Sequence, residues 1–191
     1  MKFLISIYKS FLGGLERVLE PWLLPSLARF TFAATLLVYF WNSAWLKLGD
    51  GWSGIFHPSS GAYFQIYPRA VEAAGYDPSA LSAFHKLVVL AGTWAEFLLP
   101  ALIVLGLLTR LAALGMIGFV ALQTLTDLYG LRLIEDPKSV GAWFDRLPDA
   151  VIMDQRLFWV TVLTILVVRG GGPISLDRLL MGIGPDRRQR Q

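Results

Sequence analysis

The chain has 191 residues, 55% of them hydrophobic and 16% charged, with a formal net charge of +3. An average soluble domain carries about 25% charged residues, so this composition speaks against a soluble globular domain, and equally against a disordered chain, a collagen or a coiled coil. The absence of cysteine excludes disulfides, thiolate metal sites, iron-sulfur clusters and CxxC redox centres built by this chain alone.

Lys2 followed by Phe3, Leu4, Ile5 and Ile7 looks at first like a signal peptide. Lys9 interrupts any apolar h-region and no small-x-small cleavage pattern follows, so the segment is expected to be retained. Leu4, Ile7, Phe11, Leu15 and Val18 recur at spacings of three and four, opposite Lys2, Lys9 and Glu16. This predicts an amphipathic helix, lying on the membrane surface or packed on its own protein, before Pro21 and Pro25 turn the chain.

A hydrocarbon layer of about 30 Å needs about 20 helical residues. Three apolar stretches meet that length, 27–48, 87–108 and 111–128. A fourth, 153–169, has a shorter uncharged run from Leu157 to Val168 and borrows from the residues before it. The expected fold is all-α, a single integral membrane four-helix bundle with an N-terminal interfacial helix. If both termini are cytoplasmic, that side holds ten of the 17 Lys and Arg with four acids, and the other side seven with nine acids. The positive-inside rule then places both termini in the cytoplasm of a multi-pass cell-membrane protein. The tail arginines Arg178, Arg187, Arg188 and Arg190 are expected to lie near anionic lipid of the inner leaflet. Two long loops, 49–86 and 129–156, fall outside. Trp52, Phe56, Tyr63, Phe64, Tyr67, Tyr76, Trp143 and Phe144 suit them to headgroup depth, as caps over the bundle mouth.

An ionisable group in hydrocarbon is costly unless it is paired or neutral, so such groups are functional candidates. Glu96 is the leading one. It lies about 18 Å from the inner end of its span, near mid-bilayer. The same depth along neighbouring spans reaches Tyr39 and Gln123, with Asn42, Thr124 and Thr161 within about two turns. Pro100 cannot donate to the carbonyl of Glu96, which adds a second polar demand at that residue. Two readings stand. Glu96 is a proton-accepting or quinone-headgroup site, or it is a protonated carboxyl hydrogen-bonded to Gln123 or Tyr39 that holds the bundle together.

Arg29 and Arg110 fall near the inner face, where arginines snorkel to lipid phosphates. His57 and His85 read as solvated loop residues, and Glu135, Asp136, Asp145 and Asp149 as an acidic rim; no metal motif is present. Gly49-Asp50-Gly51-Trp52-Ser53-Gly54 matches GxGxxG, yet it follows a membrane span instead of a strand, so a flexible turn is expected instead of a dinucleotide site. HExxH, GxSxG and P-loop strings do not occur.

Several of these stretches, taken together, carry a resemblance. Leu27 to Leu48, with Arg29 near its start and Ala44-Trp45-Leu46-Lys47-Leu48 at its end, is similar to the first helix of the DoxX family. Glu96 and the run Gly106-Leu107-Leu108-Thr109-Arg110-Leu111 resemble that family's second helix, Gly-x-x-Thr-Arg turn and third-helix start. Gly170-Gly171-Gly172-Pro173-Ile174-Ser175-Leu176-Asp177 resembles its glycine-rich stop and Ser-Leu-Asp. The resemblance implies a small four-helix membrane protein. Some relatives are linked to thiosulfate oxidation with quinone reduction, others to membrane complexes that resist oxidative stress. Arg29, Lys47, Glu96, Thr109, Arg110 and Asp177 match the family pattern, without an assigned catalytic role. The leading expectation is a quinone-linked redox accessory or subunit with a membrane or soluble redox partner, and no nucleic-acid partner. The rivals are a non-catalytic scaffold that recruits a soluble partner, and a small-solute or metal transporter, which with four spans would need a homo-oligomer to enclose a path.

Overall fold

Runs of Leu, Ala, Ile and Val without charge satisfy their backbone polar groups internally as helices. In the computed structural model, which describes residues 2–183, such runs make up the greater part of the long helices after the first, and no strand occurs among the described residues. The tail positions Arg187, Arg188 and Arg190 lie outside the described residues. In chain order the helices are α1 Lys2–Leu19, α2 Leu23–Lys47, α3 Ser60–Ile66, α4 Pro68–Ala73, α5 Ala83–Leu105, α6 Thr109–Gly130, α7 Pro137–Val140, α8 Met153–Arg169 and α9 Leu176–Ile183.

Among the described residues, three helices are long and apolar enough to cross a membrane: α2 with 25 residues, α5 with 23 and α6 with 22. α8 has 17 residues and carries a buried arginine, Arg156, near its start. The first three spans begin earlier than hydropathy alone suggests, because the chain coils into helix before its composition turns fully apolar. α5 stops at Leu105, short of the expected 108, because Gly106 takes a left-handed conformation (φ 71°). The Leu107 amide then bonds back to the Leu102 carbonyl at 2.9 Å and closes the end of the helix. α2 and α6 each contain a π-helical turn, at Ala33–Leu37 and Thr126–Gly130.

α2, α5, α6 and α8 each pack against two of the others, in the cyclic order α2, α5, α6, α8. Phe32, Phe40, Ile103, Met116, Leu163 and Leu166 fill the space between them, and Ala28, Ala112 and Ala113 let the backbones approach. The outward faces are apolar too, with Phe30, Val38, Leu46, Leu111, Leu122 and Phe158 exposed. Helices apolar on all sides need an apolar surrounding.

Both long loops fold back over one end of these helices. The Trp94 indole on α5 donates to the Ile55 carbonyl at 2.8 Å, Arg69 Nε to Tyr129 at 2.8 Å, and the Trp143 indole to Met153 at 3.0 Å. Ala62 and Val71 are buried beneath α3 and α4. The GxGxxG string is a turn, but a tightly packed one where a flexible one was expected. The Gly49 amide donates to the Gly54 carbonyl at 3.2 Å, and a Cβ on Gly54 would lie 1.9 Å from the Gly49 carbonyl oxygen. The following element is a single 3-10 turn, Trp52–Ile55, which offers no helix N-terminus for a pyrophosphate.

Candidate functional site

Lys47 closes α2, and its backbone carbonyl accepts from Ser59 at 2.9 Å, which anchors the first loop. Its side chain turns inward instead of outward. The ammonium donates to Glu96 Oε2 at 2.7 Å, Glu96 Oε1 at 2.9 Å and Ser43 Oγ at 2.6 Å, so all three of its hydrogens find acceptors. Lys47 is 2% and Glu96 5% exposed. Ser43 stands one turn before Lys47 on the same face of α2, which is why it can join the pair.

This corrects the sequence reading of Glu96 as a lone carboxyl bonded to Tyr39 or Gln123. Those two bond to each other, Gln123 Nε2 to Tyr39 Oη at 3.1 Å. The partner of Glu96 is Lys47, which lies about 12 Å beyond Tyr39 by helical rise. The long lysine stem and the glutamate side chain bridge that offset. One residue past the Glu96 carbonyl that Pro100 leaves without its helical donor, the Trp41 indole donates to the Phe97 carbonyl at 3.1 Å.

A second, partly buried pair was not anticipated. Arg156, 5% exposed, bonds Asp127 on the π-helical turn of α6 and donates to Thr124 Oγ1 at 2.5 Å. Its guanidinium also sits 6.0 Å from the Trp159 ring centroid. Tyr39 packs on the same ring at 5.4 Å between centroids. Tyr39, Gln123, Thr124, Asp127, Arg156 and Trp159 thus form one polar and aromatic face shared by α2, α6 and α8. Gln123 Oε1 and Arg156 Nε are buried there without a hydrogen-bond partner among the described residues. The sequence did hold a signal for it: an acid closing one apolar run and a base opening the next. The loop-charge count absorbed both residues instead.

Asn42 is exposed, and Thr161 only bonds back to its own helix at Leu157; neither joins Glu96. His57 Nδ1 lies 3.0 Å from the Ser53 carbonyl and His85 Nδ1 2.7 Å from Ser82 Oγ, so both serve local turns. Asp136 of the acidic rim accepts from Ser139 Oγ at 2.6 Å and from the Lys138 amide at 3.2 Å, at the start of α7.

The opposite end of the bundle is tied by the remaining family-pattern residues. Arg29 does not snorkel away. Its guanidinium bonds the carbonyls of Ile103, Val104, Gly171 and Ile174, closing the C-terminal end of α5 and holding the glycine-rich segment against it. Asp177 accepts from the Leu108 amide at 2.6 Å, the Thr109 amide at 2.9 Å and Thr109 Oγ1 at 2.7 Å, so a residue far along the chain caps the start of α6. Burial pushes the Asp177 carboxyl up, but the bonds from Thr109 and Leu108 and the charge of Arg29 outweigh it and hold it below the usual carboxylate range. The Asp177 amide in turn donates to the Gly106 carbonyl at 2.8 Å. Arg110 is exposed beside this knot.

No family model, curated protein or solved structure matches this chain.

Proposed function

We propose that this chain is a four-span membrane protein of DoxX type that serves as a quinone-linked redox accessory or subunit. The observation that carries the reading is the presence of two ion pairs, Lys47 with Glu96, buried, and Arg156 with Asp127, partly buried, within helices whose outer faces are apolar. Charges are kept in such a place at a cost of several kcal/mol, which is why they mark function. α8 completes the four spans, and α1, with Tyr8 and Phe11 exposed, lies on the inner surface. Both termini are cytoplasmic, from the Lys and Arg asymmetry. Reporter fusions at Gly75 and at Gln191 are expected to fall on opposite sides of the membrane; the same side for both overturns this topology.

In this reading the quinone headgroup enters from the lipid against Tyr39 and Gln123. Reduction to the quinol takes two electrons, from a redox partner, and two protons, taken up from solvent, with the Glu96 carboxylate beside Lys47 and Ser43 as the group that accepts each proton and passes it on. A photoactivatable quinone is expected to label the Tyr39 and Gln123 face of the purified full chain, and Glu96→Gln, which leaves Lys47 an acceptor oxygen but no counter-charge, is expected to lose activity in cells well beyond any loss of folded protein. Labelling no greater than that by an apolar control, or full activity of Glu96→Gln, overturns the quinone role and leaves Glu96 structural. One observation favours the scaffold reading: Trp52 and Phe144 protrude fully from the loop end, where a soluble partner could dock on them.

A further inference from the structure

The tail end of the bundle holds a cleft of about 590 Å³ between the α5–α6 turn, the glycine-rich segment and the start of α2. Three arginines line it: Arg110, Arg169 and Arg178. Arg169 is paired with Glu20. The side chains of Arg110 and Arg178 make no hydrogen bond or ion pair among the described residues. The acid inside the cleft, Asp177, is turned to the Leu108 and Thr109 amides, so it leaves two guanidinium charges uncompensated.

The wall next to these arginines is apolar, with Trp22, Leu108 and Leu111 all exposed. Gly170, Gly171 and Gly172 line the cleft without side chains to fill it. A group suited to this setting carries a phosphate that two planar guanidinium forks can grip, and hydrocarbon that runs over Leu111 and Trp22. We propose that this cleft is a binding site for the phosphodiester headgroup of an anionic glycerophospholipid, with the phosphate between Arg110 and Arg178 and the acyl chains along the α6 and α2 faces. The site depends on the membrane placement proposed above and not on any quinone chemistry.

Native mass spectrometry of the full chain in detergent, titrated with phosphatidylglycerol, phosphatidylcholine or inorganic phosphate, tests it. The wild type is expected to prefer phosphatidylglycerol. The double variant Arg110→Gln with Arg178→Gln is expected to lose about thirtyfold in that affinity, from about fivefold for each arginine. Arg132→Gln, at the other end, is expected to leave it unchanged. A folded double variant with undiminished preference overturns the site, as does equal binding of phosphatidylcholine. Inorganic phosphate that binds as tightly as the lipid, or displaces it, overturns the lipid source in favour of a free anion. Should the double variant not fold, photoactivatable phosphatidylglycerol decides on the wild type: crosslinks at Trp22 and Leu111 support the site, and crosslinks confined elsewhere overturn it.

Discussion

Lys47→Met alone is expected to destabilise the folded chain by about 3–5 kcal/mol, because it strands the Glu96 carboxylate in an apolar interior without its counter-charge. Glu96→Leu is expected to cost a similar amount by stranding the ammonium. The combined variant, Lys47→Met with Glu96→Leu, is expected to recover most of the loss, since a buried pair replaced by apolar side chains of similar volume is often near neutral. Unfolding of the purified protein in a fixed detergent, with all three variants compared, measures this as a coupling energy. Additive losses in the combined variant would show that the two side chains do not act as a pair. The comparison also separates structure from chemistry. A double variant that is stable yet inactive places the reason for keeping the charges in function instead of folding.

Gly106→Ala is expected to be the most damaging single methyl at the other end, costing about 2–5 kcal/mol. Part of this, about 1–2 kcal/mol, is the left-handed backbone at φ 71°. The rest is contact: the new Cβ would stand 2.5 Å from Ser175 Cβ, 2.9 Å from Ser175 Cα and 3.0 Å from Arg29 Cζ. Relieving it pushes apart the segment that Arg29 and Asp177 hold, and overpacking of this kind adds about 1–3 kcal/mol. Gly75→Ala is the control. Gly75 has a similar φ of 68° but nothing within 4 Å of its Cβ, so only the backbone part is expected. Equal losses for the two variants would mean that the tail segment does not press on the α5–α6 turn.

Much of the architecture was legible in the sequence, because the length and apolarity of a helix that crosses hydrocarbon are local properties. The stretches from Leu27, Leu87 and Leu111 needed no partner to be recognised. The polar centre was legible only in part. Glu96 stood out as an acid in an apolar run, yet its depth was matched to residues at equal helical rise, which selected Tyr39 and Gln123. Side chains do not stay at the level of their own backbone. Lys47 reaches inward along its stem to meet Glu96, and Arg156 meets Asp127 across two helices. Arg29 and Asp177 show the same limit. Their positions near the ends of apolar stretches were evident, but the carbonyls and amides they satisfy belong to helix ends distant in sequence. Which backbone groups are left unpaired at a helix end is set locally, whereas which side chain answers them is set by how the helices pack. By itself, then, the sequence determined that the chain is helical, apolar and built on membrane-length segments, and the tertiary structure alone decided how its few buried charges pair, because a pairing depends on side-chain reach across neighbours that no local pattern encodes.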